Sequence, residues 1–419
     1  MVTTSTILPG ITLRAYIDER FKQNVLTVQL IRPMCREEAS LNALLPAVLL
    51  RGCESAPDIR AITARLDDLY GASIGAQVRR IGDCQTTGFG CGFISDRFAL
   101  EGDKILAPAL DFLRELLLCP LLEDGVFRAD FVESEKKNLI TTLQSQKNDK
   151  RSYSQLQLLS KMCARDSYGV PRLGDVASVE AITPASLYAH YKKVLAQSPV
   201  ELFYVGQPAP ELQSLLQQAF RDLERQDLYV PVQTHFTSAG GGEFTETMDV
   251  AQGRLYLGYN TTIDLRQGDL AAMQVCNTLW GGGMTSKLFM QVREKMSLCY
   301  DIGSTMHSSK GIVTVSAGID SDKDLLVRQQ IEAQLTEICN GNITDEELGA
   351  AKKSLITSLQ GTHDSTGSIE NYYGISAISG LRYTPEAYIA AIEQVDKTAV
   401  AAAARTLTLD TVYFLKGEA

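Results

Sequence analysis

A repeated nine-residue segment is the feature that most restricts the fold of this 419-residue chain. The segment Lys136–Gln144 matches Lys352–Gln360 at seven of nine positions, 216 residues further on (352 − 136). Both copies carry Leu, Ile and Leu at helical spacing, and Thr344-x-x-Glu347 before the second copy is the pattern of a capping box. Because the chain is too long for one ordinary core, this repeat predicts two copies of one domain in tandem.

Weaker echoes follow in the same order along the two halves. Ser73–Gly75 echoes Asp301–Gly303, Phe93–Asp96 echoes Ile319–Asp322, and Glu201–Gly206 echoes Thr411–Gly417. Residues 226–245 between the halves are rich in Pro, Gly and polar residues, which is typical of a linker. We therefore predict an N-terminal domain over 1–225, a linker over 226–245 and a C-terminal domain over 246–419.

The order of elements within each half indicates the fold class. Each half begins with strand-like residues, which are followed by a helix, a pair of hairpin strands and then long helices. This order favours an α+β fold over a doubly wound sheet. We expect two tandem homologous domains, each a mostly antiparallel sheet with helices packed on one face.

A glycine triplet and a spaced pair of polar residues are the main candidates for function. Gly281, Gly282 and Gly283 allow either positive φ or a close approach to neighbouring atoms. Apolar residues at helical spacing follow, and Arg293 and Tyr300 lie seven residues apart. Together this pair could hold a peptide carbonyl or carboxylate through a guanidinium fork and a hydroxyl donor. Taken singly, the triplet could be a tight turn, Arg293 a solvated helix charge and Tyr300 a half-buried strand residue.

Composition excludes several classes of function. The net charge of −10 argues against binding to nucleic acid or to anionic membranes and would favour basic peptides in a cleft. No apolar run is long enough to span a membrane, and no export signal is visible at the N-terminus. The nine cysteines are scattered without a Cys-x-x-Cys motif, so we expect reduced thiols and a cytoplasmic location. Neither a phosphate-binding loop nor a G-x-S-x-G elbow is present, and we expect no cofactor.

The glycine-rich turn, the helix after it and the Arg293/Tyr300 pair resemble the second-half signature of the insulinase/pitrilysin superfamily of zinc peptidases. This superfamily includes the mitochondrial processing peptidases, and the resemblance implies two domains of the LuxS/MPP-like fold. It also implies that Arg293 and Tyr300 contact substrate beside a zinc site. For His307 we favour a structural role, with hydrogen bonds inside the fold, because a lone histidine is more often structural than a metal ligand.

The zinc motif of that superfamily is missing. Active members carry H-x-x-E-H on the first helix after the first strands, where two imidazoles bind zinc and the glutamate activates water. On that pattern the histidine positions fall on Ala43 and Ala47, the glutamate on Pro46 and the third ligand near Thr142. Alanine cannot bind zinc, and a proline in this helix would further disturb the geometry. We therefore expect neither a metal nor catalytic residues at these positions.

The resemblance implies a role beside a catalytic partner. We expect a non-catalytic subunit of a heterodimeric zinc metallopeptidase that contributes peptide binding and chamber closure to a zinc-bearing homologous subunit. The alternative is a degenerate peptidase-fold scaffold or peptide-binding protein without a peptidase partner, and a homodimer also stays open. A relocated metal site is disfavoured because the four histidines, His190, His235, His307 and His363, are far apart in sequence.

Overall fold

The computed structural model describes residues 2–417. The strands are β1 (Val2–Leu8), β2 (Ile11–Ile17), β3 (Gln23–Pro33), β4 (Ser73–Ile81), β5 (Cys84–Ile94), β6 (Leu122–Glu123), β7 (Val126–Phe127), β8 (Val200–Gly206), β9 (Gly242–Met248), β10 (Gly253–Asn260), β11 (Asp301–His307), β12 (Ile312–Ile319) and β13 (Thr408–Gly417). The α-helices are α1 (Arg36–Leu49), α2 (Ile59–Asp68), α3 (Leu106–Leu118), α4 (Ala129–Ser145), α5 (Lys150–Met162), α6 (Val176–Glu180), α7 (Pro184–Gln197), α8 (Leu212–Phe220), α9 (Leu270–Gly281), α10 (Asp324–Cys339), α11 (Asp345–Gln360), α12 (Thr366–Ser379), α13 (Pro385–Gln394) and α14 (Lys397–Ala404). A π-helix covers Leu288–Lys295, and short 3₁₀ turns cover Asp96–Phe98, Leu100–Gly102, Gln146–Asn148, Ser167–Gly169 and Gly361–His363.

The chain forms two compact units whose segments interleave along the sequence. Unit 1 comprises the residues up to Gln144, Pro171–Val232 and His363–Ile378, and unit 2 comprises Ser145–Val170, Gln233–Thr362 and the residues from Ser379 onward. The main boundary, between Val232 and Gln233, lies inside the expected linker 226–245, although β9 already begins within that range. Segments 145–170 and 363–378 each pack with the unit that is formed mainly by the other half of the sequence. The contiguous ranges 1–225 and 246–419 do not describe this exchange.

The sheets of the two units repeat one strand order. Unit 1 has the order β1-β2-β8-β3-β5-β4, and unit 2 has the order β11-β12-β10-β13-β9. Counted from β4 and from β11, the first five strands therefore correspond. In each sheet one pair is parallel, β2 with β8 and β9 with β13, while the other pairs are antiparallel. The expected α+β fold with two mostly antiparallel sheets is confirmed.

The repeated segments lie in α4 and α11 and make equivalent contacts. Lys136 Nζ donates to the carbonyl oxygens of Glu180 at 3.0 Å and Ile182 at 2.7 Å, at the end of α6. Lys352 Nζ donates to the carbonyl oxygen of Glu393 at 2.9 Å, at the end of α13. Because the last carbonyls of a helix lack partners within the helix, these lysines satisfy them and hold the helix ends in place.

One helix in each unit covers the second face of the sheet, in addition to the helices expected on the first face. In unit 1, Phe203 and Val205 of β8 pack against Ile369 of α12. In unit 2, Tyr256 of β10 packs with Leu158 of α5. The central strands are apolar on both faces, so each sheet needs a cover on both sides.

Two further features concern the environment of the chain. Within residues 2–417, no helix has the length and apolarity needed to cross a membrane. None of the nine cysteines forms a disulfide in this part of the chain. Burial raises the pKa of Cys84 to about 11 and that of Cys91 to about 12, so these thiols stay protonated at neutral pH.

Candidate functional site

The positions that correspond to the zinc motif hold side chains that do not form a metal site. Ala43 and Pro46 are buried in α1, and Ala47 lies one turn beyond Ala43 on the same helix. Thr142 is exposed on α4, where its Oγ1 donates to the carbonyl oxygen of Asn138 at 2.9 Å. Among residues 2–417, no three His, Cys, Asp or Glu side chains are grouped so that they could hold a metal ion.

The helix continues through Pro46 despite the expected disturbance. A proline lacks the N–H group that would bond to the carbonyl four residues earlier, which here belongs to Asn42. Thr87 of β5 supplies the missing donor, since its Oγ1 lies 2.8 Å from the Asn42 carbonyl oxygen. Beyond the proline, the N–H of Leu50 donates to the Pro46 carbonyl at 3.2 Å. A side chain of the sheet therefore replaces the lost helical bond.

A buried network of neutral polar side chains adjoins these positions. The Nδ2 of Asn42 donates to Gln85 Oε1 at 2.9 Å, so its Oδ1 accepts from His190 Nε2 at 2.7 Å. Gln85 Nε2 in turn donates to the carbonyl oxygens of Ala39 and Arg172. Burial lowers the pKa of His190 to about 4, so this imidazole is neutral at physiological pH. The network joins α1, β5 and α7 through protein atoms, and the sequence had indicated only the isolated His190.

The other histidines are also hydrogen-bonded to protein groups. The partners are Asp264 for His235 at 2.8 Å, Tyr168 and Thr314 for His307 at 3.0 and 3.1 Å, and Tyr16 for His363 at 3.1 Å. The structural interpretation of His307 agrees with these contacts.

The glycine triplet serves close packing. A Cβ on Gly281 would lie 2.7 Å from the backbone nitrogen of Ser304 in β11, and a Cβ on Gly282 would lie 2.6 Å from Thr278 Cα. Around Gly283 the space is open. None of the three has positive φ. Gly281 and Gly282 therefore allow the end of α9 to approach neighbouring backbone, the second of the two roles considered from the sequence.

The π-helix after the triplet presents Arg293. Leu288 and Val292 are buried on its inner side, and the Met296 N–H donates to the Gln291 carbonyl five residues earlier. Such i→i+5 bonding is rare in proteins, and where it occurs it is often at a functional site. The guanidinium of Arg293 lies 4.6 Å from the centroid of the Phe289 ring, within the range of a cation–π contact.

Arg293 and Tyr300 line one surface pocket of about 410 Å³ in unit 2. Its lining residues are Arg293, Glu294, Ser297, Leu298, Cys299, Tyr300, Asp320 and Lys323. The structure therefore brings together the two residues that sequence spacing singled out.

The guanidinium of Arg293 is available for a ligand. Its ion pair with Glu294 spans 3.7 Å, and within residues 2–417 the guanidinium makes no hydrogen bond. Arg65 stands eight residues before Ser73, as Arg293 stands eight before Asp301, and is thus its counterpart in the first half. In contrast, Arg65 donates to Glu115 at 2.7 Å and stacks on Phe112 at 4.6 Å.

Tyr300 belongs to a small network at the rim of the pocket. Its Oη donates to Asp320 Oδ1 at 2.7 Å, while Lys323 Nζ lies 2.8 Å from Asp320 Oδ2. Hydrogen bonds from Lys323 and Tyr300 lower the pKa of Asp320, and the bond to Asp320 raises the pKa of Tyr300. Asp320 and Lys323 were missed by sequence reasoning. The available signal was that Asp320 corresponds to the apolar Ile94 in the repeat.

Comparisons with known proteins match either the middle part of the chain or nearly all of it. The model of a family described as "Peptidase M16 inactive domain" matches residues 181–355. A Bacillus subtilis protein named "Probable inactive metalloprotease YmfF" is 31% identical over 409 residues, covering 97% of this chain and 96% of that protein. The crystal structure of a conserved protein from Enterococcus faecalis V583 has a TM-score of 0.93 at 30% identity, covering 100% of this chain and 99% of that one. The crystal structure of a peptidase M16 inactive domain from Pseudomonas fluorescens has a TM-score of 0.84 at 20% identity, with 100% and 98% covered.

Proposed function

The chain belongs to the M16 peptidase family, and on this premise we propose that it is the non-catalytic subunit of a heterodimeric zinc metallopeptidase. A homologous partner subunit supplies the zinc and the water that it activates. This chain supplies peptide binding through Arg293 and Tyr300 and closes the chamber in which the peptide is cleaved. The observation that carries the proposal is that the Arg293 guanidinium lines a pocket and, within residues 2–417, makes no hydrogen bond. The zinc positions hold Ala43, Pro46 and Ala47, which leaves the metal to the partner.

The proposed contribution of the pocket is binding energy and orientation. A hydrogen bond from a guanidinium is worth on the order of 1.5–3 kcal/mol when the site is dry. If that energy is realised at the transition state, one lost contact lowers kcat/KM about ten- to a hundred-fold, since each 1.4 kcal/mol is roughly tenfold. The nine thiols without disulfides favour a reducing compartment, so we place the complex in the cytoplasm.

The experiment is reconstitution with a zinc-bearing M16 homologue, followed by peptide cleavage assays on Arg293→Ala and Tyr300→Phe. Lys295→Ala is the matched charge control, because Lys295 is exposed on the same π-helix and does not line the pocket. Tyr70→Phe is the matched hydroxyl control, because Tyr70 donates to the carboxylate of Asp103 at 2.6 Å in unit 1.

With the complex intact, Arg293→Ala should lower kcat/KM about ten- to a hundred-fold and Tyr300→Phe about five- to ten-fold, and both controls should leave it unchanged. Unchanged cleavage in both pocket variants, with the complex still formed, would contradict the proposal. The alternative, a scaffold or peptide-binding protein without a peptidase partner, would then account for the chain.

A further inference from the structure

We propose that Asp320 is a positioning residue that holds Tyr300 as a hydrogen-bond acceptor. The pocket then selects an extended peptide, in which one residue presents its N–H and its carbonyl on the same side. This inference rests on the proposed peptide-binding function and names the chemistry that the pocket recognises. It also differs from the role expected from the sequence, in which the Tyr300 hydroxyl donates to a carbonyl.

The direction of the hydrogen bond follows from the chemistry of the two groups. A tyrosine hydroxyl has one proton, and an ionised carboxylate can only accept. The Oη of Tyr300 lies 2.7 Å from Asp320 Oδ1, and Lys323 holds the other carboxylate oxygen at 2.8 Å. Because Lys323 and Tyr300 both lower the pKa of Asp320, this carboxyl group is ionised at neutral pH and takes the proton of the Tyr300 hydroxyl into its hydrogen bond.

At Tyr300 and Arg293 the pocket therefore offers a ligand an acceptor and a donor fork, beside the carboxylate of Glu294. The remaining lone pair of Tyr300 Oη is accessible, since the residue is 51% exposed, and the Arg293 guanidinium lies in the same pocket. In an extended chain the N–H and C=O of one residue point to the same side, as they do toward a neighbouring antiparallel strand. Tyr300 can accept from that N–H while Arg293 donates to that carbonyl. A free carboxylate or a pair of carbonyls would leave the Tyr300 oxygen facing another acceptor.

The arrangement is confined to the second half of the chain. By the repeat, Tyr300 corresponds to Ala72 and Asp320 to Ile94, and both of these side chains are apolar. The common architecture of the two units thus does not require the Tyr–Asp pair. Its presence beside Arg293, whose counterpart Arg65 is occupied by Glu115, associates the pair with the ligand pocket.

The first measurement is the titration of Tyr300 in the full chain labelled with ¹³Cζ-tyrosine, with Tyr300→Phe used to assign the NMR signal. Removing the neighbouring carboxylate in Asp320→Ala should lower the pKa of Tyr300. Asp322→Ala is the matched control, because Asp322 is exposed in the same turn and its carboxylate is not bonded to Tyr300. Asp320→Asn is the second variant if the alanine variant does not fold. An unchanged pKa of Tyr300 in the folded Asp320 variant would overturn the inference.

The second measurement uses two probes, N-acetyl-trialanine amide and the same peptide methylated on each alanine nitrogen. The parent and Asp322→Ala should bind the unmethylated peptide about five- to ten-fold more tightly, the equivalent of one net hydrogen bond. In Asp320→Ala that preference should fall, because the Tyr300 hydroxyl is no longer held as an acceptor. Equal binding of the two peptides to the parent would overturn the inference and leave the proposed function standing. Binding of neither peptide, with the titration shift present, would instead contradict the proposed peptide pocket.

Discussion

Replacing Glu370 by Gln should destabilise unit 1, because this carboxylate of α12 accepts four hydrogen bonds from the sheet. Thr27 Oγ1 and Gln29 Nε2 of β3 each lie 3.1 Å from Glu370 Oε1. Arg79 of β4 donates Nη1 to Oε1 at 2.9 Å and Nη2 to Oε2 at 2.8 Å. Glu370 is 4% exposed, so water cannot substitute for these bonds on the carboxylate side.

The magnitude follows from what glutamine can retain. Its single carbonyl oxygen can keep the bonds from Thr27 and Gln29, but its amide N–H₂ then faces the Arg79 guanidinium. One charge-assisted bond is lost and the rest weaken, at about 1.5–3 kcal/mol for each bond to a charged group. The Arg79 side chain is 22% exposed, so water compensates part of the loss. We expect a loss of about 2–4 kcal/mol in the free energy of unfolding, near the cost of breaking a buried ion pair.

Urea denaturation followed by circular dichroism measures this loss, and hydrogen exchange of β3, β4 and α12 locates it. Glu393→Gln is the matched control, because Glu393 is exposed and the change should stay within about 0.5 kcal/mol. The double variant with Arg79→Gln should be less destabilised than the sum of the single variants by about 1–2 kcal/mol. A Glu370→Gln variant as stable as the parent, with unchanged exchange in α12, would refute the packing of this helix on unit 1.

Two further predictions concern stability. His190 has a folded-state pKa of about 4, below its ordinary value of 6.5, so the unfolded state takes up its proton first as the pH falls. Stability should therefore decrease from about pH 6.5 to about pH 4 by up to about 3 kcal/mol, and His190→Gln should flatten this dependence in urea titrations at each pH. Gly281→Ala should cost about 1–3 kcal/mol in thermal unfolding, because its Cβ would overlap Ser304. Gly283→Ala, in open space, should stay within about 0.5 kcal/mol, and equal effects at the two glycines would contradict the packing role.

The repeat was sufficient to predict the duplicated architecture. The matched segments Lys136–Gln144 and Lys352–Gln360 fall in α4 and α11, and the capping box at Thr344 is present. The sequence pattern did not explain why the lysines recur. In the structure, Lys136 binds two carbonyl oxygens and Lys352 one, in each case at the end of a helix further along the chain.

The interleaving of the units could not be predicted from the sequence. Residues 145–170 and 363–378 each follow one copy of the repeated segment, and that position does not indicate which sheet each one covers. Both sheets have an apolar second face, so apolar character alone does not pair a helix with a sheet. Contacts far apart in sequence, such as Glu370 with Arg79, decide the arrangement.

The candidate site was predictable in part. The residue types of Ala43 and Ala47 were enough to predict that the zinc motif is missing. The spacing of Arg293 and Tyr300 singled out two residues that line one pocket. Asp320 and Lys323 were not identified, because they reach the pocket from the turn after β12 and belong to no motif. The acidic composition had favoured basic peptides, whereas the pocket carries two cations and two anions. Asp320 and Lys323 are paired at 2.8 Å, while the side chains of Arg293 and Glu294 make no hydrogen bond within residues 2–417 and lie 3.7 Å apart.

The proposed role as a non-catalytic subunit is tested by titrating this chain into a zinc-bearing M16 homologue and measuring peptide cleavage. We expect no chelator-sensitive cleavage by this chain alone. The rate of the homologue should rise with added chain, reach a plateau at one chain per zinc-bearing subunit and be abolished by a chelator. A rate that does not change at any ratio, with no complex detected, would contradict this role.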